Sequence, residues 1–228
     1  MNTTSIKINL SHKAYLRDPE LTELGQRIIK ESIRLIDELG FEQFTFRKLA
    51  TEINSTEASI YRYFENKHKL LVYLVSWHWA WLDHFVLFQT NNIADPRERL
   101  SRAIDVITAS GTDNPATLHI NESALYRIVI SEASKVYLTK EVDDDNKDGY
   151  FLEYKRLCHH LSEMVLDINP DYPYPHALIS TIMEAAHQQV FFAEHLPSLT
   201  EIRGTQRSPV ETATFLKHLV FAAVDQKR

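Results

Sequence analysis

Cysteine and glycine are scarce in this sequence, and both shortages narrow the class of protein. The 228 residues include one cysteine, Cys158, so no intrachain disulfide forms and no Cys-x-x-Cys pair is present to bind zinc. The five glycines are too scattered for a Gly-x-Gly-x-x-Gly motif, a phosphate-binding loop or a Gly-x-Ser-x-Gly nucleophile elbow. We therefore expect a protein from a reducing compartment that is not an enzyme and carries no cofactor.

Long apolar runs are also missing. The longest uncharged run of mainly apolar residues, 70–82, has thirteen residues, whereas a helix that spans a bilayer needs roughly 20. The first ten residues contain no apolar run with a small-residue cleavage site. We predict a cytoplasmic protein that does not enter the membrane.

Acidic residues outnumber basic ones, but the balance differs along the chain. The net charge is −6, which by itself argues against a general nucleic-acid binder. Residues 1–75 contain 11 basic and 10 acidic side chains, and residues 76–228 contain 14 and 21. The amino-terminal third is therefore the part of the chain best suited to bind an anion.

The pattern of apolar residues predicts an all-α protein of about nine helices. The hydrophobic share of 44%, with few glycines, is typical of an ordered helical protein. We predict three short helices in a first domain, residues 1–66, and six helices in a second, residues 67–228, with an acidic loop at 141–149. The predicted helices cover about 28–39, 46–53, 56–64, 67–87, 95–111, 122–138, 151–168, 176–195 and 209–224.

Local signals place the ends of the first helices. Gly40 ends the first helix, and Thr45 is a good N-cap for the second. Asn54 and Ser55 favour a tight turn, which Asn54 permits because asparagine tolerates a left-handed backbone. Asn66 can cap the long fourth helix. Two short helices joined by a tight turn predict a helix-turn-helix whose second helix enters the DNA major groove.

The residues of this region match a known family in order and spacing. Three segments carry the match, followed by Lys67 and the leucines at 70 and 71: Glu38-Leu39-Gly40-Phe41, Thr45-Phe46-Arg47-Lys48-Leu49-Ala50 and Ala58-Ser59-Ile60-Tyr61-Arg62-Tyr63-Phe64. Over about 27–71 the sequence resembles the amino-terminal signature of the TetR (tetracycline repressor) family. The turn residues Asn54, Ser55 and Thr56 depart from the family pattern, as does the acidic Glu57.

The resemblance implies a ligand-responsive repressor that binds palindromic operator DNA as a dimer. It assigns Thr45, Tyr61 and Lys67 to phosphates, because hydroxyls and an ammonium suit an anion. Arg47 and Arg62 would add positive charge beside the groove. Thr56, Glu57 and Ser59 are the candidates for base edges, and Glu57 would accept a hydrogen bond from cytosine N4. The alternative interpretation is that Tyr61 is a core residue and the charges only solvate a small helical domain.

Aromatic residues are concentrated in the predicted fourth helix, which in the family leads from the DNA-binding domain to the ligand pocket. The resemblance therefore implies a pocket for a small apolar or aromatic effector near Trp77, Trp81, Phe85 and Tyr126. Core packing explains the same residues without a ligand. Effector binding would tilt this helix and lower the affinity for the operator.

The last two predicted helices are apolar on two sides, so one side needs a partner outside the protomer. We predict a homodimer that is held together by a two-fold four-helix bundle with an apolar interface above roughly 2,000 Å². The predicted contact residues are Ile182, Ala185, Ala186, Gln189, Leu216, Val220 and Ala223.

No metal site is predicted. Residues 144–149 match the first half of a calcium-binding EF-hand loop, but its twelfth position is Lys155 where glutamate is required. Two other functions stay open: a TetR-like ligand-binding module that has lost operator binding, favoured by Glu57, and a helical enzyme that uses the histidines and aromatics.

Overall fold

The computed structural model describes residues 8, 10, 14–109, 119–203 and 209–226. Every regular element in these residues is helical, which confirms the all-α prediction. The α-helices are α1 (Glu23–Leu39), α2 (Phe46–Glu52), α3 (Glu57–Tyr61), α4 (Lys67–Thr90), α5 (Pro96–Thr108), α6 (Glu122–Glu132), α7 (Ser134–Tyr137), α8 (Val142–Lys147), α9 (Leu152–Ile168), α10 (Pro175–His195) and α11 (Pro209–Val224). Short 3-10 turns lie at Pro19–Leu21 and Pro197–Leu199.

Two stretches differ from the predicted helices in more than their end points. The predicted helix over 122–138 is divided into α6 and α7 at Ala133, where the amide of Val136 donates to the Ala133 carbonyl across three residues and so interrupts the α-helical ladder. The predicted acidic loop contains α8, whose first turn carries three aspartates. Acidic side chains stabilise the positive amino-terminal end of a helix, and this favours α8.

Side-chain caps start the helices of the amino-terminal region. The Thr22 hydroxyl accepts a hydrogen bond from the Gly25 amide at 3.0 Å and so begins α1. Thr45 accepts from the Lys48 amide at 3.2 Å, and Asn66 accepts from the Lys69 amide at 2.9 Å. The predicted caps Thr45 and Asn66 are therefore confirmed, and each satisfies an amide that the helix itself leaves unpaired.

Glycine is required in the first turn of α1, where the helix backbone approaches the segment that precedes it. A Cβ atom at Gly25 would lie 2.2 Å from the backbone oxygen of Pro19, in the 3-10 turn that packs on α1. Gly40 ends α1 with a φ of 77°, and its amide donates to the Ile36 carbonyl at 2.8 Å. The segment before α1 is therefore packed directly against that helix.

The chain divides into two compact units. The first consists of Met1–Ala80 and Gly111–Glu153, and its core includes Ile28, Phe44 and Ile60. The second consists of Trp81–Ser110 and Tyr154–Arg228, in which α11 packs on α5 and α10. The predicted division into functional domains at residue 66 stays a prediction. None of the described helices has the length and hydropathy needed to cross a membrane.

Candidate nucleic-acid interface

Helices α2 and α3 form a helix-turn-helix in the first unit. They are joined through Asn54, whose φ of 49° confirms the predicted left-handed backbone. The Ser55 amide donates to the Ala50 carbonyl at 2.9 Å and closes the turn. Leu49 and Ile60 are fully buried between the helices and the rest of the unit, so hydrophobic packing fixes the angle between α2 and α3.

The predicted DNA-contacting residues lie on the outer surface of this pair or directly after it. Exposed members are Thr45, Arg47, Thr56, Glu57, Tyr61 and Arg62, and half-buried members are Ser59 and Lys67. We call these residues, with the exception of Lys67, the α2–α3 face. Because a residue must be accessible to contact DNA, six of the eight assignments have the exposure they need.

The hydroxyl groups on this face are already oriented by helix capping. Thr56 accepts from the Ser59 amide at 3.2 Å, and the hydroxyls of Thr56 and Ser59 are 2.9 Å apart. Thr45 is fixed in the same way by the Lys48 amide. Preorganised side chains lose little rotamer freedom when they contact a ligand.

Charge and an anchored aromatic ring complete the α2–α3 face. Arg47 and Arg62 are exposed and form no ion pair with any residue that the structure describes. Tyr61 is 48% exposed, and its ring packs edge-to-face on Phe46 with centroids 5.1 Å apart. The face therefore offers two guanidinium groups and a rigid phenol to an anion, with Glu57 as the acidic exception.

Lys67 has a structural role that the sequence did not reveal. Its ammonium donates to the carbonyls of Phe41 at 3.0 Å, Glu42 at 3.1 Å and Phe44 at 3.3 Å. An ammonium has three donors, so all of them have acceptors within the protein. These acceptors lie 23 to 26 residues earlier in the chain, and no local pattern connects them to Lys67. Its predicted phosphate contact stays a prediction.

Helix α6 and the short α7 after it are joined by ion pairs and hydrogen bonds to α1 and to the loop that follows α1. Arg127 forms a bidentate pair with Asp37, with its Nε 2.8 Å from one carboxylate oxygen. The buried Glu132 accepts from the Phe41 amide at 3.2 Å, and Lys135 contacts Glu42 at 2.7 Å. The hydrogen bond from Lys135 lowers the pKa of Glu42. A shift of α6 would therefore act directly on the segment that precedes α2.

The predicted pocket residues are mostly buried aromatic side chains. Trp77 and Tyr126 are buried in the first unit, where the Tyr126 ring lies 5.9 Å from the ring of His78. Trp81 is buried in the second unit and stacks on Phe85 with centroids 5.3 Å apart. Their contact with an effector stays a prediction.

A cleft of about 610 Å³ lies elsewhere, in the second unit between α10, the segment at 199–202 and α11. None of the four predicted pocket residues lines it. Its lining consists of Gln189, Leu199, Thr200, Glu201, Ile202, Val210, Glu211, Thr214, Phe215 and His218. Gln189, which the sequence assigned to the dimer interface, therefore borders an open cleft.

The predicted dimer residues divide into two groups. Four are buried inside the second unit and have no surface to offer a partner: Ile182, Ala186, Leu216 and Val220. Ala185, Gln189 and Ala223 are partly exposed. The opposite side of α11 exposes Phe215 and Leu219, at 37% and 38%, together with His218 and Ala222. We call the side defined by Phe215, His218, Leu219 and Ala222 the α11 face; it is the exposed, mainly apolar side of this helix.

The acidic segment at 141–149 contributes to an internal ion pair. Asp145 on α8 is buried and forms an ion pair of 2.9 Å with Lys69 at the start of α4. Lys69 also lies over the ring of Tyr150 at 4.0 Å from its centroid. The segment that resembles half of an EF-hand thus supplies a carboxylate to an internal ion pair.

Comparison with known proteins identifies the helix-turn-helix region. The family model of bacterial regulatory proteins of the tetR family matches residues 28–74, which confirms the resemblance seen in the sequence. A search of curated proteins gave no significant match.

Solved structures share the fold along most of the chain. AibR in complex with isovaleryl coenzyme A and operator DNA has 18% identity and a TM-score of 0.60, with 86% of this chain and 98% of that chain covered. The fatty acid degradation regulator FadR from Bacillus halodurans has 16% identity and a TM-score of 0.59, with 89% and 98% covered. A transcriptional regulator from Saccharomonospora viridis in complex with choline has 18% identity and a TM-score of 0.57, with 86% and 94% covered. At this identity the likeness shows the fold.

Proposed function

We propose that this chain, a regulator of the tetR family, is a homodimeric repressor that binds operator DNA and releases it when a small apolar molecule binds. The observation that carries the proposal is the α2–α3 face. Its Arg47 and Arg62 are exposed and form no ion pair with any described residue. The face also contains Thr45 and Thr56, which are the N-cap residues of α2 and α3. Residues 1–66 would be the DNA-binding domain, and residues 67–228 the ligand-binding and dimerisation domain.

The residues of the α2–α3 face would have two roles: some would position the protein on the DNA, and others would recognise the base sequence. Guanidinium groups and the phenol of Tyr61 suit phosphate oxygens, which fix the position of a protein on DNA without reading its sequence. Thr56, Glu57 and Ser59 lie at the start of α3, where a recognition helix presents side chains to base edges. Glu57 would repel phosphates but accept from cytosine N4, so it favours sites with a cytosine at that position.

A second copy of the chain is needed to bind a palindromic site. Two recognition helices must lie about 34–36 Å apart to reach successive major-groove segments. The exposed Phe215 and Leu219 of the α11 face are the side chains that a two-fold partner would cover, and the partly exposed Ala185, Gln189 and Ala223 would extend the contact. Covering these apolar side chains removes their surface from water, which favours association of two copies.

Two features support control of DNA binding by a small molecule: the aromatic side chains of α4, and the contacts between α6 and the α1 region. Trp77 and Trp81 are apolar surfaces that suit an apolar ligand. AibR binds isovaleryl coenzyme A and the Saccharomonospora viridis regulator binds choline, so small-molecule binding is compatible with this fold. A coupling of about 1–3 kcal/mol, transmitted through the bonds of Arg127 and Glu132 to the α1 region, is sufficient for control.

The test is the salt dependence of binding to a labelled duplex of mixed sequence, followed by fluorescence anisotropy. For the wild type we expect the logarithm of the affinity to fall linearly with the logarithm of the salt concentration. Arg47→Ala and Arg62→Ala should each lower the slope by about 0.9 and weaken binding to all sequences alike. Lys140→Ala is the matched control, since Lys140 is exposed and lies outside the α2–α3 face. Equal slopes for all four proteins would overturn the proposal.

The second candidate function, a ligand-binding module without operator binding, is favoured by two observations. Glu57 is exposed on the α2–α3 face, and the Lys67 ammonium is already bound by three carbonyls. This candidate predicts no salt-dependent DNA binding by the wild type, while quenching of tryptophan emission by apolar ligands would persist. The helical enzyme remains a third, weaker proposal, because the sequence has no phosphate-binding loop and no nucleophile-elbow motif.

A further inference from the structure

We propose that the cleft between α10, the segment at 199–202 and α11 binds an organic cation, which is an amine or ammonium group on an apolar body. The cleft lies within the second unit, and none of the four residues predicted to contact an effector lines it. It would therefore be a second ligand site, and the inference does not depend on the proposed function.

The size and the lining of the cleft suit a small organic molecule. Its volume of about 610 Å³ is within the range of about 300–1,000 Å³ that is typical of small-molecule sites. Three large apolar side chains of the lining are exposed: Leu199 at 58%, Val210 at 70% and Phe215 at 37%. Exposed apolar side chains with polar residues around them are typical of a ligand-binding groove. A ligand with an apolar body would remove this surface from water.

The charge of the lining favours a cation. Apart from the titratable His218, the charged residues among the described lining are both glutamates, Glu201 and Glu211. Both are exposed, and neither forms an ion pair with any residue that the structure describes. The ring of Phe215 adds a surface to which a cation is attracted. An anion in the cleft would instead be repelled by two carboxylates.

A backbone hydrogen bond orients one of these carboxylates. The Arg203 amide donates to one side-chain oxygen of Glu211 at 2.6 Å, across eight residues of the chain. The other oxygen of Glu211 has no donor among the described residues, so it is available to an N–H group of a ligand. Because the carboxylate is already held in place, it loses little rotamer freedom when a ligand binds.

Hydrogen bonds also fix the wall between α10 and the segment at 199–202. Thr200 is buried, and its hydroxyl donates to the side-chain oxygen of Gln189 at 2.7 Å and accepts from the Ile202 amide at 3.1 Å. The side-chain NH2 group of Gln189 has no acceptor among the described residues. It is therefore available to a hydroxyl or carbonyl oxygen on the body of the ligand.

The beginning of α11 borders the same cleft and does not provide an anion site. A helix begins with a partial positive charge and unpaired amides, which by themselves favour an anion. In α11, however, Glu211 places a carboxylate in the first turn, and Pro209 at the first position has no N–H group to donate. The positive end of this helix is therefore already compensated within the chain.

The test compares three ligands that have the same apolar body and different charges: phenethylamine, phenethyl alcohol and phenylacetate. Binding to the full chain at neutral pH is followed by NMR of isotope-labelled isoleucine methyl groups. Ile202 lines the cleft, and Ile60 in the core of the first unit is the internal reference. We expect the amine to shift the Ile202 signal with an affinity about tenfold higher than that of the alcohol, and phenylacetate to bind more weakly than both.

Substitutions of the two glutamates test the role of their charge. Glu201→Gln and Glu211→Gln should each weaken amine binding about fivefold, and the double variant about 20-fold, with no change for the alcohol. Glutamine at 211 still has a side-chain oxygen to accept from the Arg203 amide, so the shape of the cleft should be kept. Glu163→Gln is the matched control, since Glu163 is exposed on α9 and does not line the cleft; it should keep the wild-type affinity.

Two results would overturn this inference: equal affinities of the wild type for the amine and the alcohol, or an unchanged amine affinity in the double variant. A shift of the Ile60 signal without a shift of the Ile202 signal would also overturn it, because the amine would then bind elsewhere. These measurements involve neither DNA binding nor dimerisation. A failure of this inference is therefore distinguishable from a failure of the proposed function.

Discussion

The α2–α3 face and the α11 face are both exposed helical surfaces, but they consist of opposite kinds of side chain. The first presents short hydroxyls and arginines, of which Thr45 and Thr56 are fixed by helix caps. The second presents Phe215 and Leu219 to solvent, beside the cleft between α10 and α11. A charged surface is stable in water as it is, whereas an apolar one gains free energy when a partner covers it. We therefore expect the α2–α3 face to bind an anion and the α11 face to bind another protein surface.

The largest effect is expected from charge on the α11 face. Leu219→Glu should weaken dimerisation by about 10,000-fold or more, because a two-fold interface buries the unpaired carboxylate twice and each burial costs about 3–5 kcal/mol. Binding to a palindromic site should be lost with the dimer. Analytical ultracentrifugation across a range of protein concentrations measures the change.

Phe88→Glu is the control for this substitution. Phe88 on α4 is 70% exposed and lies outside the α11 face, so the same charge there should leave the dimer intact. A Leu219→Glu protein that sediments as the wild type does would show that the α11 face is not the interface. Leu216→Glu would not be informative, since Leu216 is buried in the protomer's own core.

The next effect concerns pH and the buried side of α10. Burial lowers the pKa of His187 to about 4, below the ordinary value of 6.5. Between about pH 6.5 and 4 the unfolded chain binds a proton that the folded chain does not, so stability is full above this range and falls as the pH decreases through it. The loss should reach about 3 kcal/mol near pH 4.

Denaturant unfolding at several pH values measures this loss. His187→Gln should remove most of the dependence in that range. His195→Gln is the control, because His195 lies on the same helix with a largely exposed side chain. If His187→Gln and the wild type lose stability in parallel as the pH decreases, burial of the neutral imidazole does not control the acid response.

The smallest effect separates two roles of Lys67 at the edge of the α2–α3 face. Lys67→Met should lower the free energy of unfolding by about 2 kcal/mol, because three carbonyls lose a charged donor. Lys48→Met, which removes a single exposed hydrogen bond to the Gln43 carbonyl, should cost about 0.5 kcal/mol or less. Thermal unfolding checks both values. An unchanged stability for Lys67→Met, with a lower salt slope for DNA binding, would instead support the phosphate contact predicted from the sequence.

The two faces also differ in how well the sequence predicted them. The limits of α2 and the turn after it were predicted because the caps and Asn54 act on neighbouring residues. The exposed side of α11 was not predicted, because both sides of the helix are apolar and only packing against α5 and α10 decides which is buried. The acceptors of Lys67 were missed for a similar reason, since they are distant in the chain. Interactions between neighbouring residues can be predicted from the sequence. Which of two apolar helix sides is buried can be decided only when the fold is known.

The central claim, a dimer with two copies of a DNA-reading helix, is tested most directly by selection of bound duplexes from a random-sequence pool. The account predicts that the wild type enriches an inverted repeat whose half-sites are separated by about one helical turn of DNA or a multiple of it. It also predicts that Leu219→Glu enriches no repeat under the same conditions. Enrichment of a single unrepeated site by the wild type, or no enrichment at all, would contradict the account.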